Sequence, residues 1–278
     1  MTHTRTQVTA LLAEHDLGPS RALGQNFVVD PNTVRRIARL AAVGPEVPVV
    51  EIGAGLGSLT LALAETGASV TAVEIDRHLR PILEEVVEGL DVTVVAGDAM
   101  ALDWDALLAA HPSWVLVANL PYNVATPLVL DLLRDVAKIE RMLVMVQLEA
   151  GERLVAEPGS SAYGIPSVKV ALRATARLVG KVSPDVFLPR PRVDSALVEI
   201  VRREQLATDA DPDQLVALVE RAFNQRRKML RRSLADLVTT EQFEAAGIDP
   251  QDRPERLSVQ DWGRLTEAVH PVSGSSPS

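Results

Sequence analysis

The chain has 278 residues, a length that allows about two domains at roughly 150 residues each. Hydrophobic residues make up 47% of it, and the absence of cysteine excludes disulfides, thiolate metal sites and thiol nucleophiles. The net charge of −9 argues against a uniformly basic nucleic-acid-binding protein, although a local basic patch would still bind RNA. No apolar run approaches the roughly 20 residues that span a bilayer, and the N-terminus lacks the apolar core of a signal peptide. We therefore expect a cytoplasmic protein with no membrane partner and no bound metal.

The first strong helix signal follows a short segment, Gln25-Asn26-Phe27. Asp30 is a good N-cap residue and Pro31 a good first helical residue, and apolar residues then recur at helical spacing through Ala41. From spacing alone, Gln25-Asn26-Phe27 is an ordinary lead-in to this helix.

A glycine-rich turn follows a short predicted strand, Val47 to Ile52. The turn contains Gly53, Gly55 and Gly57, and a helical pattern comes after it. A strand, a glycine turn and a helix begin the doubly wound nucleotide-binding folds. The spacing departs from the dinucleotide fingerprint Gly-x-Gly-x-x-Gly, because the third glycine is one place early and Ser58 holds its position.

Acidic residues end the next two predicted strands. Glu74 closes the strand from Ser69 to Ile75, where this fold grips a ribose diol, and the alternative is a solvated charge at a strand end. Asp98 follows the strand from Val92 to Ala96, where a carboxylate can accept from the amine of a bound adenine. The alternative for Asp98 is a helix N-cap.

The fourth predicted strand, Trp114 to Ala118, leads into the loop Asn119-Leu120-Pro121-Tyr122. Thr126 and Pro127 predict a helix N-cap and first helical residue just beyond it. The loop therefore lies at the carboxyl end of a strand, where open α/β sheets bind ligands. An amide, backbone carbonyls beside a rigid proline and a flat ring together suit a planar amine.

Three further strands complete the predicted sheet. They are expected at Arg141 to Val146, Lys169 to Val179 and Asp194 to Val201, with a helix over Gln147 to Glu157 after the first of them. The segment Phe187 to Arg192 is extended because its two prolines block a helix. The last two strands have no helix-length spacer. We therefore predict an α/β, Rossmann-like fold with a seven-stranded, mostly parallel sheet and an antiparallel edge.

The character of the sequence changes after Arg203, where an acidic linker is followed by short helical patterns through Val269. This part contains a basic block: Arg221, Arg226, Arg227, Lys228, Arg231 and Arg232. Such charges either contact phosphates or simply solvate a helix face. We expect domains at residues 1–205 and 206–270, the second small and all-helical, and a flexible tail at residues 271–278.

The glycine turn and the acidic strand ends favour an adenosine-containing cofactor without a pyrophosphate, and S-adenosylmethionine fits. The loop after the fourth strand then suits an amine as methyl acceptor. We identify this amine with N6 of adenine. Asn119 and a neighbouring backbone carbonyl, at Leu120, can accept the hydrogen bonds of its two N–H groups. Tyr122 can stack on one face of the base and Phe187 on the other. The alternative for Phe187 is an ordinary core residue.

These motifs resemble the KsgA/RsmA family of small-subunit ribosomal RNA adenine dimethyltransferases. The resemblance covers nearly the whole chain, and two of its motifs are together highly specific: Val186-Phe187 through Val193-Asp194-Ser195-Ala196, and Ala222-Phe223-Asn224-Gln225-Arg226-Arg227-Lys228. It implies a class I S-adenosylmethionine methyltransferase fold with a helical RNA-binding domain. It also implies that a monomer transfers two methyls to each of two adjacent adenosines in the 3′-terminal hairpin of 16S rRNA, in the small subunit or its precursor.

Site residues follow from the same resemblance. Cofactor contacts are implied at Asn26, Val28, Gly53, Gly55, Glu74, Asp98 and Asn119. Catalytic and acceptor contacts are implied at Asn119, Leu120, Tyr122 and Phe187. Val28 stands where the family usually has leucine, and Leu148 and Pro166 replace a usual lysine and leucine, which weakens the expected RNA contacts near that loop.

Two alternatives remain open at the level of sequence. One is the related 23S rRNA adenine dimethyltransferase of the macrolide-resistance type, against which the basic block and the Phe187 segment argue. The other is a ribosome-assembly factor that acts mainly by binding.

Overall fold

The computed structural model describes residues 2–271, and these form two compact units. The first comprises the chain up to Gly151 together with Ala176–Arg202, and the second comprises Glu152–Thr175 together with the described chain from Arg203 onward. The larger segment of the second unit begins at Arg203, near the predicted boundary at residue 205. The unit also includes Glu152–Thr175, which falls within the first predicted domain. The predicted tail lies, from residue 272, outside the described residues.

The first unit is an α/β unit. Its strands are β1 Phe27–Val28, β2 Pro48–Ile52, β3 Ser69–Glu74, β4 Val92–Ala96, β5 Trp114–Asn119, β6 Ile139–Gln147, β7 Ala174–Val182, β8 Phe187–Leu188 and β9 Ser195–Arg202, of which β7 starts in the second unit. Its helices are α1 Arg5–Glu14, α2 Pro31–Ala41, α3 Ser58–Ala64, α4 Arg80–Val86, α5 Trp104–Leu107, α6 Ala125–Asp135 and α7 Leu148–Leu154, of which α7 ends in the second unit.

Seven of these strands form one sheet in the order β4-β3-β2-β5-β6-β9-β7. Neighbours from β4 to β6 are parallel, and β9 runs antiparallel to β6. This confirms the predicted Rossmann-like, mostly parallel sheet. The strand order reverses between β2 and β5, where Ile52 lies opposite Ala118. A ligand crevice opens at such a switch point beyond the carboxyl ends of the strands.

A second, two-stranded sheet joins residues that are far apart in the chain. β1 and β8 pair antiparallel, with Phe27 opposite Leu188 and Val28 opposite Phe187, and the Val29 amide adds a hydrogen bond of 2.8 Å to the Val186 carbonyl. The predicted lead-in Gln25-Asn26-Phe27 is therefore partly strand. The predicted α2 is confirmed, because Pro31 begins it and the Asp30 side chain accepts from the Thr33 amide over 2.9 Å.

The second unit is helical. Its helices are α8 Ile165–Arg173, α9 Pro212–Phe223, α10 Leu230–Ser233, α11 Thr240–Ala246 and α12 Val259–Val269. The fully buried Trp262 and Phe243 lie in its hydrophobic core, and the Tyr163 hydroxyl donates to the Leu257 carbonyl over 2.7 Å. None of the helices described in either unit is both long enough and apolar enough to cross a membrane.

Two sequence-based expectations about these elements are wrong. The predicted strand Lys169–Val179 is divided between α8 and β7, because Val168 and Leu172, spaced by one helical turn, are buried in the second core while the strand begins only at Ala174. Helix α6 starts at Ala125 rather than beyond Thr126, because the Pro121 carbonyl accepts from the amides of both Val124 and Ala125 and so closes the turn earlier.

Candidate active site

The glycine turn connects β2 to α3 and requires glycine at its centre. Gly53, Gly55 and Gly57 all have positive φ, of 73°, 59° and 81°. A Cβ atom on Gly55 would lie 3.2 Å from the Phe27 ring, so strand β1 packs directly against the turn. The Gly55 amide donates to Oε2 of Glu74 over 2.6 Å. The turn is therefore held at once by β1 and by the end of β3.

Glu74 is a buried carboxylate whose two oxygens are both anchored. Oε2 accepts from the Gly55 amide, and Oε1 accepts from the Asp76 amide over 2.8 Å. Burial raises the pKa of Glu74, and these backbone hydrogen bonds oppose the rise. Each carboxylate oxygen can accept more than one hydrogen bond, so the fixed group can still receive the two hydroxyls of a ribose.

Glu51 is a second buried acid in the same cleft, and the sequence analysis missed it. It is 1% exposed, and its Oε2 has no hydrogen-bond partner among the described residues. Burial raises the pKa of Glu51 to about 8, the nearby Thr60 hydroxyl opposes the rise, and the charge of Glu74 adds to it. A charged residue inside an otherwise apolar strand, just before the glycine turn, is the signal that could have identified it.

The Asn119 amide is anchored on one side only. Its Nδ2 donates to the Asn26 carbonyl over 2.9 Å, and Oδ1 forms no hydrogen bond with any described residue. Next to it, the Leu120 amide donates to the Met145 carbonyl over 3.1 Å, while the Leu120 carbonyl accepts none from the described chain. Two acceptor oxygens on neighbouring residues are thus available beside the cleft.

Tyr122 is half-buried at the end of this loop. Its hydroxyl lies 2.7 Å from Oγ of Ser195, and either atom can donate. Burial raises the pKa of Tyr122, and the contact with Ser195 opposes the rise. The phenol therefore stays neutral near pH 7 and offers a flat, uncharged ring to the cleft.

Phe187 does not line this cleft. Its side chain is fully buried in a hydrophobic cluster with Val28, Val34 and Ile37, so it presents no face to a ligand. Its strand pairs with β1, and that pairing directs the ring into the core of the first unit. The position does not support the predicted stacking role and corresponds to the alternative, a core residue.

The remaining predicted residues lie around two adjoining cavities. The first is lined by eight of them: Asn26, Val28, Gly53, Gly55, Glu74, Asn119, Leu120 and Tyr122. Asp98 lines the second, together with Ile75 and Met100, and its Oδ1 accepts from the Met100 amide over 2.9 Å. Gly53 and Pro121 belong to both cavities, so one elongated ligand can occupy them together.

Gln25 ties the rim of the first cavity to the end of β3. Its Nε2 donates to Oδ2 of Asp76 over 2.8 Å, and its Oε1 accepts from the Ser20 amide over 2.8 Å. The segment before α2 is therefore part of the site as well as a lead-in.

Three observations indicate that the residues lining the two cavities suit S-adenosylmethionine. The unpaired Oε2 of Glu51 is a buried acceptor without a partner among the described residues, which matches an ammonium group. Glu74 matches a ribose diol, and the second cavity, lined by Ile75, Met100 and Asp98, matches an adenine.

The chain is similar to several known proteins. The profile of the family described as ribosomal RNA adenine dimethylase matches residues 20–270. A protein of Kineococcus radiotolerans named ribosomal RNA small subunit methyltransferase A is 49% identical over 92% of this chain and 87% of its own length. The protein of the same name from Thermobifida fusca is 45% identical over 95% of both chains.

Among solved structures, the 23S rRNA methyltransferase ErmE superposes with a TM-score of 0.68. It is 26% identical, and the match covers 87% of this chain and 99% of that one.

Proposed function

Since the chain belongs to the ribosomal RNA adenine dimethylase family, we propose that it dimethylates N6 of two adjacent adenosines in the 3′-terminal hairpin of 16S rRNA. Family membership makes it an S-adenosylmethionine-dependent rRNA adenine dimethyltransferase. The choice of the small subunit rests on the relatives, because those named for the small-subunit RNA reach 49% identity and the 23S enzyme reaches 26%.

One structural observation carries the chemistry, namely the single anchor of Asn119. Its Nδ2 is held by the Asn26 carbonyl, so Oδ1 is left as an acceptor in a fixed position beside the Leu120 carbonyl. The exocyclic amine of adenine has two N–H groups, and these two oxygens match them.

Accepting both N–H groups changes the reactivity of the amine. Its lone pair is normally delocalised into the ring, which makes N6 a poor nucleophile. Two hydrogen bonds that hold the nitrogen nearer to tetrahedral geometry direct the lone pair out of the ring plane. When bound, S-adenosylmethionine supplies an electrophilic methyl group on sulfur, and transfer is an in-line displacement that depends mainly on positioning. No strong base is needed, because the nitrogen becomes acidic only as it is alkylated.

Tyr122 supplies the flat surface for the acceptor base. Stacking of a base on an aromatic ring contributes about 1–3 kcal/mol. Extracting a base from its neighbours costs a few kcal/mol, so one ring offsets part of that cost. Phe187 is fully buried in the described structure, so we propose Tyr122 alone as the stacking ring.

The second unit carries the cations that we assign to RNA binding. Arg227, Lys228, Arg231 and Arg232 are exposed and form no ion pair or side-chain hydrogen bond with any described residue. Arg226 is engaged instead, with the Ser161 carbonyl at 2.9 Å and Oε2 of Glu255 at 3.5 Å. We therefore propose the four exposed residues as phosphate contacts and residues 206–270 as the core of the RNA-binding domain.

A methyl-transfer assay tests the proposal directly. Purified small and large subunits from cells that lack this modification are incubated with the protein and tritiated S-adenosylmethionine. We expect up to four methyls per small subunit, two on each of two adenosines, and none on the large subunit. Transfer to the large subunit alone would support the macrolide-resistance alternative. Binding to small subunits without transfer would support the assembly factor. We also propose that the protein acts as a monomer in the cytoplasm, where small subunits are made.

A further inference from the structure

We infer that Ser195 is a positioning residue that holds the ring of Tyr122 in the acceptor site, an inference that rests on the proposed function. The Tyr122 hydroxyl and Oγ of Ser195 lie 2.7 Å apart. Ser195 is fully buried and does not line the cleft, so it acts through Tyr122 rather than on a ligand.

Ser195 is a polar residue at a fully buried position, where an apolar residue is usual. It begins β9, and the next three residues, Ala196 to Val198, are apolar and fully buried. Tyr122 provides the one side-chain hydrogen bond that Oγ of Ser195 forms among the described residues. Burying a hydroxyl is unfavourable unless it forms a hydrogen bond, and here the hydroxyl of Tyr122 provides that bond.

The backbone around Ser195 is fixed from two sides. Ser195 lies opposite Gln147 in the β6–β9 ladder, and the Leu148 amide donates to the Asp194 carbonyl over 3.0 Å. Helix α7 also packs closely on β9, because a Cβ atom on Gly151 would lie 3.1 Å from Val198 and 3.2 Å from Ala196. The hydroxyl of Ser195 is therefore presented from a rigid frame.

Tyr122, by contrast, belongs to a short loop. A hydrogen bond from its hydroxyl to a fixed partner limits rotation of the ring about its side-chain torsions. A base stacked on that ring lies parallel to it, so the orientation of the ring sets the orientation of the base. In that orientation N6 must also donate to Oδ1 of Asn119 and to the Leu120 carbonyl. Small errors in such alignment are costly, since a misplacement of about 1 Å can lower a rate about 100-fold. Ser195 therefore supports catalysis by reducing misaligned stacking.

A double-mutant cycle between Ser195→Ala and Tyr122→Phe tests this role. The readout is the single-turnover rate of methyl transfer to small subunits at saturating cofactor, with the dissociation constant for S-adenosylmethionine measured separately. Loss of one neutral hydrogen bond predicts a rate roughly 5- to 10-fold lower for each single variant. In the Tyr122→Phe background, Ser195→Ala should lower the rate by no more than about twofold, because the partner is already absent. The cofactor dissociation constant should not change.

Ser167→Ala is the control, because Ser167 is also buried and its hydroxyl donates to the Arg153 carbonyl over 2.6 Å and accepts from the Gly164 amide over 3.1 Å. With two hydrogen bonds lost, it should cost at least as much thermal stability as Ser195→Ala and leave the rate at the wild-type value. The inference is overturned if Ser195→Ala transfers methyls at the wild-type rate, or if its effect is undiminished in the Tyr122→Phe background. A wild-type protein that transfers no methyl to either subunit would instead overturn the proposed function.

Discussion

The Asn119 side chain is anchored by donation from Nδ2 to the Asn26 carbonyl, over 2.9 Å, which leaves Oδ1 without a partner among the described residues. Two distant segments, β5 and the lead-in to β1, thereby fix the orientation of one amide. The amide has one donor group committed to structure and one acceptor atom available for a substrate.

Asn119→Ala should remove the acceptor and lower the methyl-transfer rate by about 100- to 1000-fold, the range seen when a single stabilising group is deleted from an active site. Binding of small subunits should persist, because the substitution leaves unchanged the exposed cations of the second unit that we assign to phosphate contacts. Asn119→Asp is a sharper variant, since it keeps an acceptor but cannot donate to the Asn26 carbonyl. We expect it to lose activity as well. Rates are measured by tritium transfer and binding by filter retention, and a parallel loss of both would contradict the role of Asn119.

Gly55→Ala tests the close approach of β1 to the glycine turn. The new Cβ would lie 3.2 Å from the Phe27 ring at a positive φ of 59°, beside the amide that holds Glu74. We expect cofactor affinity to fall by roughly tenfold or more, in addition to a stability cost of about 1–2 kcal/mol for the backbone conformation. Gly89→Ala is the control, because Gly89 has a φ of 77° but a Cβ atom added there would meet nothing within 4 Å. Gly89→Ala should have a similar stability cost. Its affinity for the cofactor, measured by calorimetric titration, should equal that of the wild-type protein.

Glu51→Gln should alter the pH dependence of stability in the cofactor-free protein. The raised pKa of Glu51, about 8, means that its contribution to stability is fully present below about pH 4.5 and is lost as the pH rises to about 8. The wild-type protein should therefore lose stability between pH 6 and pH 9, on the order of 2 kcal/mol, relative to the glutamine variant. Urea unfolding at both pH values measures this difference, and parallel pH profiles for the two proteins would argue against the assignment.

The same carboxyl group predicts a proton released on cofactor binding. An ammonium group beside Glu51 favours the ionised form, so binding near pH 7 should expel up to one proton. Titration calorimetry in buffers of different ionisation enthalpy counts that proton. Glu51→Gln should bind more weakly and release none.

Neutralising Arg227, Lys228, Arg231 and Arg232 should make RNA binding less dependent on salt. Each lost phosphate contact reduces the slope of log K against log salt by roughly 0.7–0.9. We expect a reduction of about 3 for the quadruple glutamine variant, measured from 50 to 300 mM KCl, while cofactor affinity stays the same. Arg221→Gln is the control, because Arg221 already forms hydrogen bonds of 3.0 and 2.8 Å with both oxygens of Asp236. An unchanged slope in the quadruple variant would place the RNA interface elsewhere.

The parts of the site that could be predicted from sequence are those whose signal lies close together along the chain. The glycine turn, Glu74 and Asn119 each mark the end of a parallel strand, and parallel strands bring their carboxyl ends to one edge of the sheet. The topology then assembles these residues without further information.

The parts that could not be predicted depend on partners far away in sequence. Phe187 lies in the core because β8 pairs with β1, and nothing within its own segment indicates that partner. The sequence marks Glu51 as an acid inside an apolar strand, but it does not indicate that the fold buries this carboxyl group without a hydrogen bond to Oε2 from the described residues. The segment from Lys169 alternates in polarity like a strand, yet the burial of Val168 and Leu172 in the second core selects a helix over its first half. For Phe187 and for the segment from Lys169, a tertiary contact overrides the local pattern.

The pairing of Phe27–Val28 with Phe187–Leu188 bears on when a growing polypeptide becomes able to bind its cofactor. A fragment that ends at Val186 contains the glycine turn, Glu74, Asp98 and Asn119, yet the edge of Phe27–Val28 has no partner strand. Synthesis runs from the N-terminus, so that edge stays open until the last part of the first unit has emerged. We expect fragments ending at Val186 to be cut by proteases near Phe27 with or without cofactor, and those ending at Arg202 to be protected by it. The nascent chain then becomes able to bind its cofactor only after the last segment of the first unit has been synthesised.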